Sequence, residues 1–496
     1  MSQEGRVSNG SPLLRLEDWW AVWLGGFIFL LGLAPLFGAD YLGWAVKTNI
    51  WLSLSKALAP QSKDLAATMS GWTSLLLTYL FLLAVTTIGA AVMRWNVARF
   101  IGGFTIIFFL AYASWVSGHY AYIAATKDKF EKLGIDWSLG LSGEMGFIIA
   151  MIVGLIIANF LPGLANYLKE AAKPEWYIKT GIVILGAGLG IKALGALDLA
   201  STVILRGLCA IVEAYLIYWP VVYFVSRKWF KMTPEWAAPL ASGISICGVS
   251  AAIATGGAIK ARPQIPIILS AVIIVFVAVE LLILPFLATA WLYHEPMVAG
   301  AWMGLAVKSD GGAIASGAMT DALIRAKALE VMGVKWEEGW MLMAATTTKI
   351  FIDIFIGVWA FILAVIWSVY RLDKGPDGGT KGTAAKVQAG EIWERFPKFV
   401  IGYFATFVIL LLIGLAAPDL VKPATKGAEE ANTLRGIFFL LTFFSIGLVT
   451  NVRKLWAEGL GKIVWVYALC LFGFILWVGL FISWLFYAGV MPPVVS

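Results

Sequence analysis

Two charged residues, Lys308 and Asp310, lie inside a run of apolar and small residues, where they could bind an ion or transfer a proton. The run covers residues 304–317 and also contains Gly311 and Gly312. An ionised side chain at the centre of a bilayer costs several kcal/mol, so it normally faces the protein interior and a partner. Two positions apart, Lys308 and Asp310 would share no face of a regular helix. We expect the helix to unwind at Gly311 and Gly312, which would let the two charges converge.

Two roles are open for this charged pair. Lys308 could neutralise an anionic substrate, while Asp310 could take up a proton or act as the counter-ion that the substrate displaces. A structural salt bridge that closes the helix bundle is the alternative. If the pair binds substrate, Ser309, Gly311 and Gly312 are expected to contribute to the same site.

A second cluster of small and polar residues interrupts an apolar run at residues 242–262. Inside hydrocarbon the backbone can leave a helix only where it faces protein or a watery cavity. We expect a helix whose second half starts near Ser250, with unpaired amides that favour an anion. Tight helix packing is the alternative reading of such small residues. The predicted substrate-binding residues here are Ser245, Cys247, Gly248 and Ser250.

Three further ionisable residues within apolar runs are predicted to serve ion coupling together with Asp310. Lys349 and Asp353 are four positions apart and stack on one helix face, which predicts an intrahelical ion pair whose face could still line a cavity. Glu280 suits a proton carrier, and equally well a protonated carboxyl bonded to a neighbouring helix. Two interrupted segments with buried charge are typical of a secondary transporter.

The composition is that of an integral membrane protein. Apolar residues make up 60% of the 496 residues and charged ones 14%, against about 25% charged in soluble domains. Several runs reach the roughly 20 residues that a spanning helix needs, and no alternation typical of a barrel is sustained. The sequence predicts an all-α polytopic fold of about thirteen spans, at 19–38, 71–93, 99–123, 143–162, 177–197, 202–226, 234–260, 265–291, 298–320, 341–370, 396–418, 432–451 and 461–487.

Loop charges orient these spans. Lys and Arg concentrate in alternate loops, which predicts a cytoplasmic N-terminus and an external C-terminus in a bacterial inner membrane. In the external stretch 38–70, Trp44, Trp51, Leu54 and Leu58 have helical spacing, so this stretch is expected to lie in the membrane interface. The predicted domains are a cytoplasmic tail at 1–18, additional helices at 19–142, a transporter core at 143–487 with a linker at 371–394, and an external tail at 488–496.

A weak internal repeat supports the transporter interpretation. Residues 186–194 in the fifth segment are similar to residues 445–455 in the twelfth. Because the two segments are an odd number of spans apart, the copies would be inverted across the membrane. Inverted repeats are common in alternating-access transporters.

Other classes of protein find little support. The chain has two His, and its three Cys all lie in apolar segments, so no metal site or cofactor is expected beyond H⁺ or Na⁺ as a coupling ion. No phosphate-binding loop and no nucleophile with its base is visible, so an enzyme is not expected. The expected partners are a small inorganic or organic anion and membrane lipids, without nucleic acid, and a homo-oligomer is left open.

The segment from Ser245 to Lys260 resembles the Ile-Cys-Gly-x-Ser-Ala block of the bacterial sulfate exporter family, grouped with the cation/proton antiporter and anion transporter superfamily. Residues 300–304, 345–349 and 395–403 extend the similarity, which covers roughly residues 143–487. The resemblance implies a transporter fold with two discontinuous helices. It also implies that the first three helices are an addition to the family's core.

The chain departs from that family at its charged positions. Where the family usually has His followed by an acidic residue, this sequence has Lys308 and Ser309, and Phe351 and Ile352 replace an expected Thr and Arg. The substrate is therefore expected only to be a small anion of the sulfate, sulfonate, carboxylate or bicarbonate class. The alternative function is cation/proton antiport with Asp310 as the exchanging carboxylate.

Overall fold

The computed structural model describes residues 12–126, 129–141, 143–262, 264–370, 393, 396–452 and 460–495. Within these ranges the chain is nearly all helical, with 79% helix and 2% strand. This confirms the predicted all-α polytopic class. The predicted linker at 371–394 lies outside the described residues except for Trp393, and residues 1–11 of the predicted tail also lie outside them.

The α-helices are numbered in chain order. The first half of the chain contains α1 Pro12–Arg15, α2 Glu17–Gly32, α3 Gly71–Val92, α4 Val97–Gly118, α5 Ala121–Ala124, α6 Phe130–Leu133, α7 Met145–Phe160, α8 Pro162–Leu168, α9 Pro174–Gly195, α10 Leu197–Gly207, α11 Cys209–Val212 and α12 Trp219–Phe224. The second half contains α13 Pro234–Ser245, α14 Val249–Ala258, α15 Gln264–Leu292, α16 Pro296–Ala306, α17 Asp310–Met332, α18 Trp340–Ile354, α19 Ile356–Tyr370, α20 Phe399–Ala416, α21 Val421–Val449, α22 Gly461–Cys470 and α23 Leu476–Tyr487.

Shorter turns join some of these helices. Wider π turns at Glu213–Tyr218, Val225–Trp229 and Leu471–Ile475 continue the helices on either side of them. Short 3-10 turns lie at Ala34–Phe37, Leu54–Lys56, Leu65–Ala67 and Pro418–Leu420. A π turn leaves carbonyl groups without their usual i+4 partners, so side chains from neighbouring helices can bind them.

Ten of the described helical stretches are long and apolar enough to cross a membrane by themselves. One more predicted span, 143–162, corresponds to α7, which together with α8 passes the same test as a pair bent by 117°. The other two predicted spans, 234–260 and 298–320, are the interrupted segments, each divided into two shorter helices. Because the chain leaves the helix within these segments, they do not form continuous spans. For this reason the described residues contain fewer unbroken spanning helices than the thirteen apolar runs predicted.

The stretch 38–70, whose Trp and Leu residues have helical spacing, does not form a continuous helix. Val46–Thr48 forms strand β1, which pairs antiparallel with β2 at Leu58–Pro60, and Val46 lies opposite Pro60. The Thr78 hydroxyl of α3 accepts a hydrogen bond from the Val46 amide at 2.9 Å. The regular spacing of Trp and Leu in this stretch is therefore not a helix face. Long-range pairing of main-chain groups decided the local conformation.

Contacts among the described residues divide the chain into two compact units. The first contains α2–α4, α9, α20 and most of α21. In this unit Lys179 binds Asp18 at 2.8 Å, and the Asp18 carboxylate also accepts from the Lys398 amide at 3.3 Å. The start of α2 is thereby fixed to α9 and to the start of α20.

The second unit contains α7, α10–α19, α22 and α23, together with all the predicted site residues. Its C-terminal residues run beside the segment before α18. The Val495 amide donates to the Lys335 carbonyl, and the Glu337 amide donates to the Pro493 carbonyl, both at 2.8 Å. Val494 also forms an isolated bridge with Trp336. The predicted tail at 488–496 is thus attached to this unit through its main chain.

Candidate functional site

Both predicted helix interruptions are present. The first break, residues 246–248, separates α13 from α14, and Gly248 has φ +75° and ψ −117°. Such a conformation is readily accessible only to glycine, so this residue fixes where the helix stops. The second half starts at Val249, one residue before the predicted Ser250. Ser245 is the last residue of α13 and is buried, while Ser250 lies in the first turn of α14.

The second break, residues 307–309, separates α16 from α17 through extended backbone at Val307 and Ser309. The Ser309 hydroxyl accepts a hydrogen bond from the Gly312 amide at 3.2 Å, as an N-terminal helix cap does. The prediction that the chain unwinds at Gly311 and Gly312 was therefore wrong by a few residues. Both glycines are in the first turn of α17, because the Ser309 cap starts the helix ahead of them.

The two breaks touch each other. A Cβ atom placed on Gly248 would lie 2.3 Å from the Lys308 carbonyl oxygen and 2.9 Å from Ile273 Cγ2. Only a residue without a side chain permits this approach of the two main chains. We call this contact the crossing. It brings the carboxyl ends of α13 and α16 next to the amino ends of α14 and α17.

Lys308 is fully buried at the second break and is held at both its main chain and its side chain. Its amide donates to Glu280 Oε2 at 3.0 Å, which links the break to α15. Its Nζ donates to the Leu305 carbonyl in the last turn of α16 and lies 4.5 Å from the centre of the Tyr218 ring. The ammonium group thus neutralises a helix carboxyl end, where cations are favoured.

Lys349 neutralises the helix carboxyl end at the first break, as Lys308 does at the second. From α18 its Nζ donates to the Ile246 carbonyl at 2.7 Å, at the carboxyl end of α13. It also lies 3.9 Å from both Asp310 Oδ1 and Asp353 Oδ1, and all three charged side chains are buried. The predicted ion pair of Lys349 with Asp353 is present. Lys308 and Asp310 do not converge as predicted, because Asp310 faces Lys349 across the crossing.

Three potential metal ligands meet beside Lys349. Cys247 Sγ and one oxygen each of Asp310 and Asp353 lie within 4.8 Å of one another, and all three residues are buried. Each of the three was predicted as a site residue, but their meeting was not, because they come from the first break, α17 and α18, which are far apart in the chain. Together with the Lys349 ammonium group, these three side chains form a buried polar cluster inside the protein.

Hydroxyl groups connect the two halves of the first broken helix. Thr255 of α14 donates to Ser242 of α13 at 2.6 Å, and the Trp219 indole donates to the same Ser242 oxygen at 2.9 Å. All three side chains are buried. These bonds hold α13 and α14 in a fixed relation although their backbone is interrupted.

Sequence reasoning left Glu213 and Tyr218 out of the site. Both lie on the π turn Glu213–Tyr218. Their side chains lie beside Gly479 of α23, where an added Cβ atom would be 2.7 Å from the Tyr218 hydroxyl and 3.3 Å from Glu213 Oε1. Glu213 lies near enough to Lys308 for an electrostatic interaction between the two side chains. The Tyr218 hydroxyl donates to the Ile475 carbonyl in a second π turn at 2.8 Å. A lone acidic residue in an apolar run was the available signal for Glu213, whereas nothing in the sequence pointed to Tyr218.

The chain is similar to several known proteins. The family described as conserved hypothetical protein 698 matches residues 143–465. A UPF0324 membrane protein of Nitrosomonas europaea is 40% identical over 98% of each chain. A UPF0324 membrane protein of Rhodopirellula baltica is 31% identical over 79% of this chain and 64% of its own length, and an uncharacterized protein of Archaeoglobus fulgidus is 50% identical over 31% of this chain and 88% of its own. No solved structure matches.

The extent of these matches bears on the first three long helices. The family match starts at residue 143, after them, whereas the Nitrosomonas europaea protein is aligned over 98% of both chains. Helices α2–α4 therefore lie outside the family match but within the similarity to that relative. The crossing, with all the charged residues described above, lies inside the family match.

Proposed function

We propose that this chain, which belongs to the family of conserved hypothetical protein 698 and UPF0324 membrane proteins, is a secondary transporter of a small anion. The observation that carries this proposal is the crossing of two discontinuous helices at Gly248 and Lys308. Broken helices place main-chain charge inside a membrane protein, and transporters bind ions and substrates at such places. Sulfate, a sulfonate, a carboxylate or bicarbonate would suit the site.

The four helix ends at the crossing support an anionic substrate. Lys349 and Lys308 bind carbonyl groups at the carboxyl ends of α13 and α16. Ser309 caps the amino end of α17, and Asp310 lies in its first turn. The amino end of α14 has no side-chain hydrogen bond at its cap, Gly248. Among the described residues, the weak acceptor Cys247 is the side chain that interacts with an amide of its first turn. This amino end is the one that would attract an anion.

The buried charges also support coupling to a cation, for which we propose H⁺. Near the crossing, two ammonium groups face four buried carboxyl groups, those of Glu213, Glu280, Asp310 and Asp353. An anion that entered beside unprotonated carboxylates would be repelled at short range in a medium of low dielectric constant. Protons that bind the carboxyl groups would remove this repulsion. Anion and proton would then move together in the same direction.

The cluster of Cys247, Asp310 and Asp353 favours a second candidate function, cation/proton exchange. Its ligand atoms lie within 4.8 Å of one another, and the Lys349 ammonium group is 3.9 Å from each carboxylate. A cation that bound there would displace Lys349 from the carboxylates. The cation would bind only the unprotonated form of Asp310, so a proton and a cation would compete for this carboxylate, and uptake of one would release the other.

Transport by purified protein in liposomes tests both candidates. We expect labelled sulfate, bicarbonate or acetate to enter faster when an imposed pH gradient drives protons in the same direction. Ser250→Trp, in the first turn of α14, should reduce uptake at least tenfold, whereas Ile253→Trp, at a position that is 47% exposed on the same helix, should not. Lys308→Gln should also reduce uptake, with Lys327→Gln on α17 as its matched control.

Two results would contradict anion transport. Uptake that is unchanged by both Ser250→Trp and Lys308→Gln would remove the crossing from the mechanism. Proton movement that depends on added sodium, and that needs no anion other than an impermeant buffer, would instead establish cation/proton exchange. A pH-sensitive dye trapped inside the liposomes distinguishes these outcomes.

A further inference from the structure

A separate cavity of about 330 Å³ lies at the other end of α13, away from the crossing. Two lysines, a threonine, a tryptophan and three apolar side chains line it, namely Lys231, Lys462, Thr233, Trp236, Met232, Leu460 and Ile463. Its size is near the lower limit of small-molecule sites, about 300–1,000 Å³. It can therefore accept a polar headgroup, but not a whole lipid.

Electrostatics at this cavity favours an anion. Thr233 and Leu460 are the residues that precede α13 and α22, so the amino ends of two helices meet there, and Thr233 makes no capping bond with its side chain. Lys231 and Lys462 add two positive charges. The acidic residue in the first turn of α13, Glu235, is bound by Arg262 at 3.1 Å. Among the described residues, the two lysines are thus the charged groups that line the cavity.

The surroundings place this cavity at the boundary between lipid and water. Trp229 and Trp465, on the segments that flank it, are 63% and 69% exposed, and tryptophan is enriched where a protein meets the headgroup region. Lys231 and Lys462 belong to the Lys- and Arg-rich loops that predict the cytoplasmic side. Apolar Met232, together with the other apolar lining residues, offers a surface for the first part of an acyl chain.

We propose that this cavity binds the headgroup of an anionic diacyl phospholipid, with its acyl chains outside along α22. Basic pockets between helices at the cytoplasmic surface bind such headgroups. The phosphodiester would lie between Lys231 and Lys462, against the amino ends of the two helices. Because α13 has 12 residues, the headgroup would lie about 18 Å from the first break. It would hold the amino end of α13, the end of the broken helix that is farther from the break.

A lipid titration of the full-length protein in detergent tests this proposal. A ligand that binds only the folded protein raises its apparent melting temperature. We expect dioctanoyl phosphatidylglycerol to raise it at lower concentrations than dioctanoyl phosphatidylcholine does. In Lys231→Gln/Lys462→Gln the concentration for half of this shift should rise at least tenfold. The matched control, Lys228→Gln/Lys327→Gln, removes two lysines that do not line the cavity and should behave as the wild type.

Leu460→Trp provides a second variant, which fills the cavity without a change of charge and should weaken the phosphatidylglycerol response to a similar extent. If the double lysine variant does not fold, the phosphatidylglycerol response of Leu460→Trp tests the proposal in its place. The proposal is overturned if phosphatidylcholine acts as strongly as phosphatidylglycerol, or if the folded variants respond as the wild type does. Equal stabilisation by inorganic phosphate at the same concentration would show a site for a soluble anion and would also overturn it.

Discussion

Gly248→Ala adds only one methyl group, but it should strongly reduce both stability and anion uptake, because the crossing has no room for that group. The added Cβ would lie 2.3 Å from the Lys308 carbonyl oxygen, whereas ordinary contacts begin at 3.4 Å. The two breaks would have to separate by about 1 Å. Overpacking of this kind costs about 1–3 kcal/mol, and φ +75° with a side chain costs about 1–3 kcal/mol more. We therefore expect a loss of about 2–6 kcal/mol in stability.

Gly257→Ala is the matched control for this experiment. Gly257 also belongs to α14, but a Cβ atom there would meet nothing within 4 Å. Since alanine favours a helix over glycine by about 1 kcal/mol, this variant should be as stable as the wild type or slightly more stable. Thermal unfolding of both purified variants, followed by intrinsic tryptophan fluorescence, measures the difference. Anion uptake into liposomes should fall at least tenfold for Gly248→Ala alone.

Equal melting temperatures and equal uptake for the two variants would contradict this prediction. Such a result would mean that the breaks do not touch, or that they separate at no cost. In either case the main-chain charges at the helix ends would lose their fixed positions. The proposed anion site would then have no structural basis.

Three further substitutions test the groups around the crossing. Lys349→Met leaves buried carboxylates without their ammonium group, so it should cost about 3–5 kcal/mol of stability, and adding Asp353→Asn should recover part of that loss in thermal unfolding. Ser309→Ala removes the cap of α17 and should cost about 1 kcal/mol, more than Ser316→Ala in the same helix; equal losses would argue against the cap. Glu280→Gln keeps an oxygen for the amide in the second break, so it should fold while the dependence of uptake on the pH gradient weakens; an unchanged dependence would exclude this carboxyl from coupling.

Part of the candidate site was predictable because it depends on local sequence. Small residues, glycines and a buried charge mark a helix that cannot continue, whatever lies around it. The first break therefore falls within one residue of its predicted end at Ser250. The ion pair of Lys349 and Asp353 follows in the same way from helix geometry, since residues four apart share a face.

The partners of the charged groups were not predictable. Asp310 was expected to meet Lys308, two residues away, but it faces Lys349 instead. Lys349 also binds the Ile246 carbonyl, 103 positions earlier in the chain. Such contacts depend on which helices become neighbours, and composition and periodicity carry no information about that.

Hydrophobic length and helix-breaking residues act over a few turns of backbone, so a helical membrane protein with two interrupted helices could be predicted from the sequence alone. Three features emerge only in the folded protein: the breaks touch at Gly248, Lys308 and Lys349 each neutralise a helix carboxyl end, and residues 46–60 form a hairpin. These features arise when distant segments compete for the same polar groups and the same space. A buried charge accepts whichever partner the packing brings within reach.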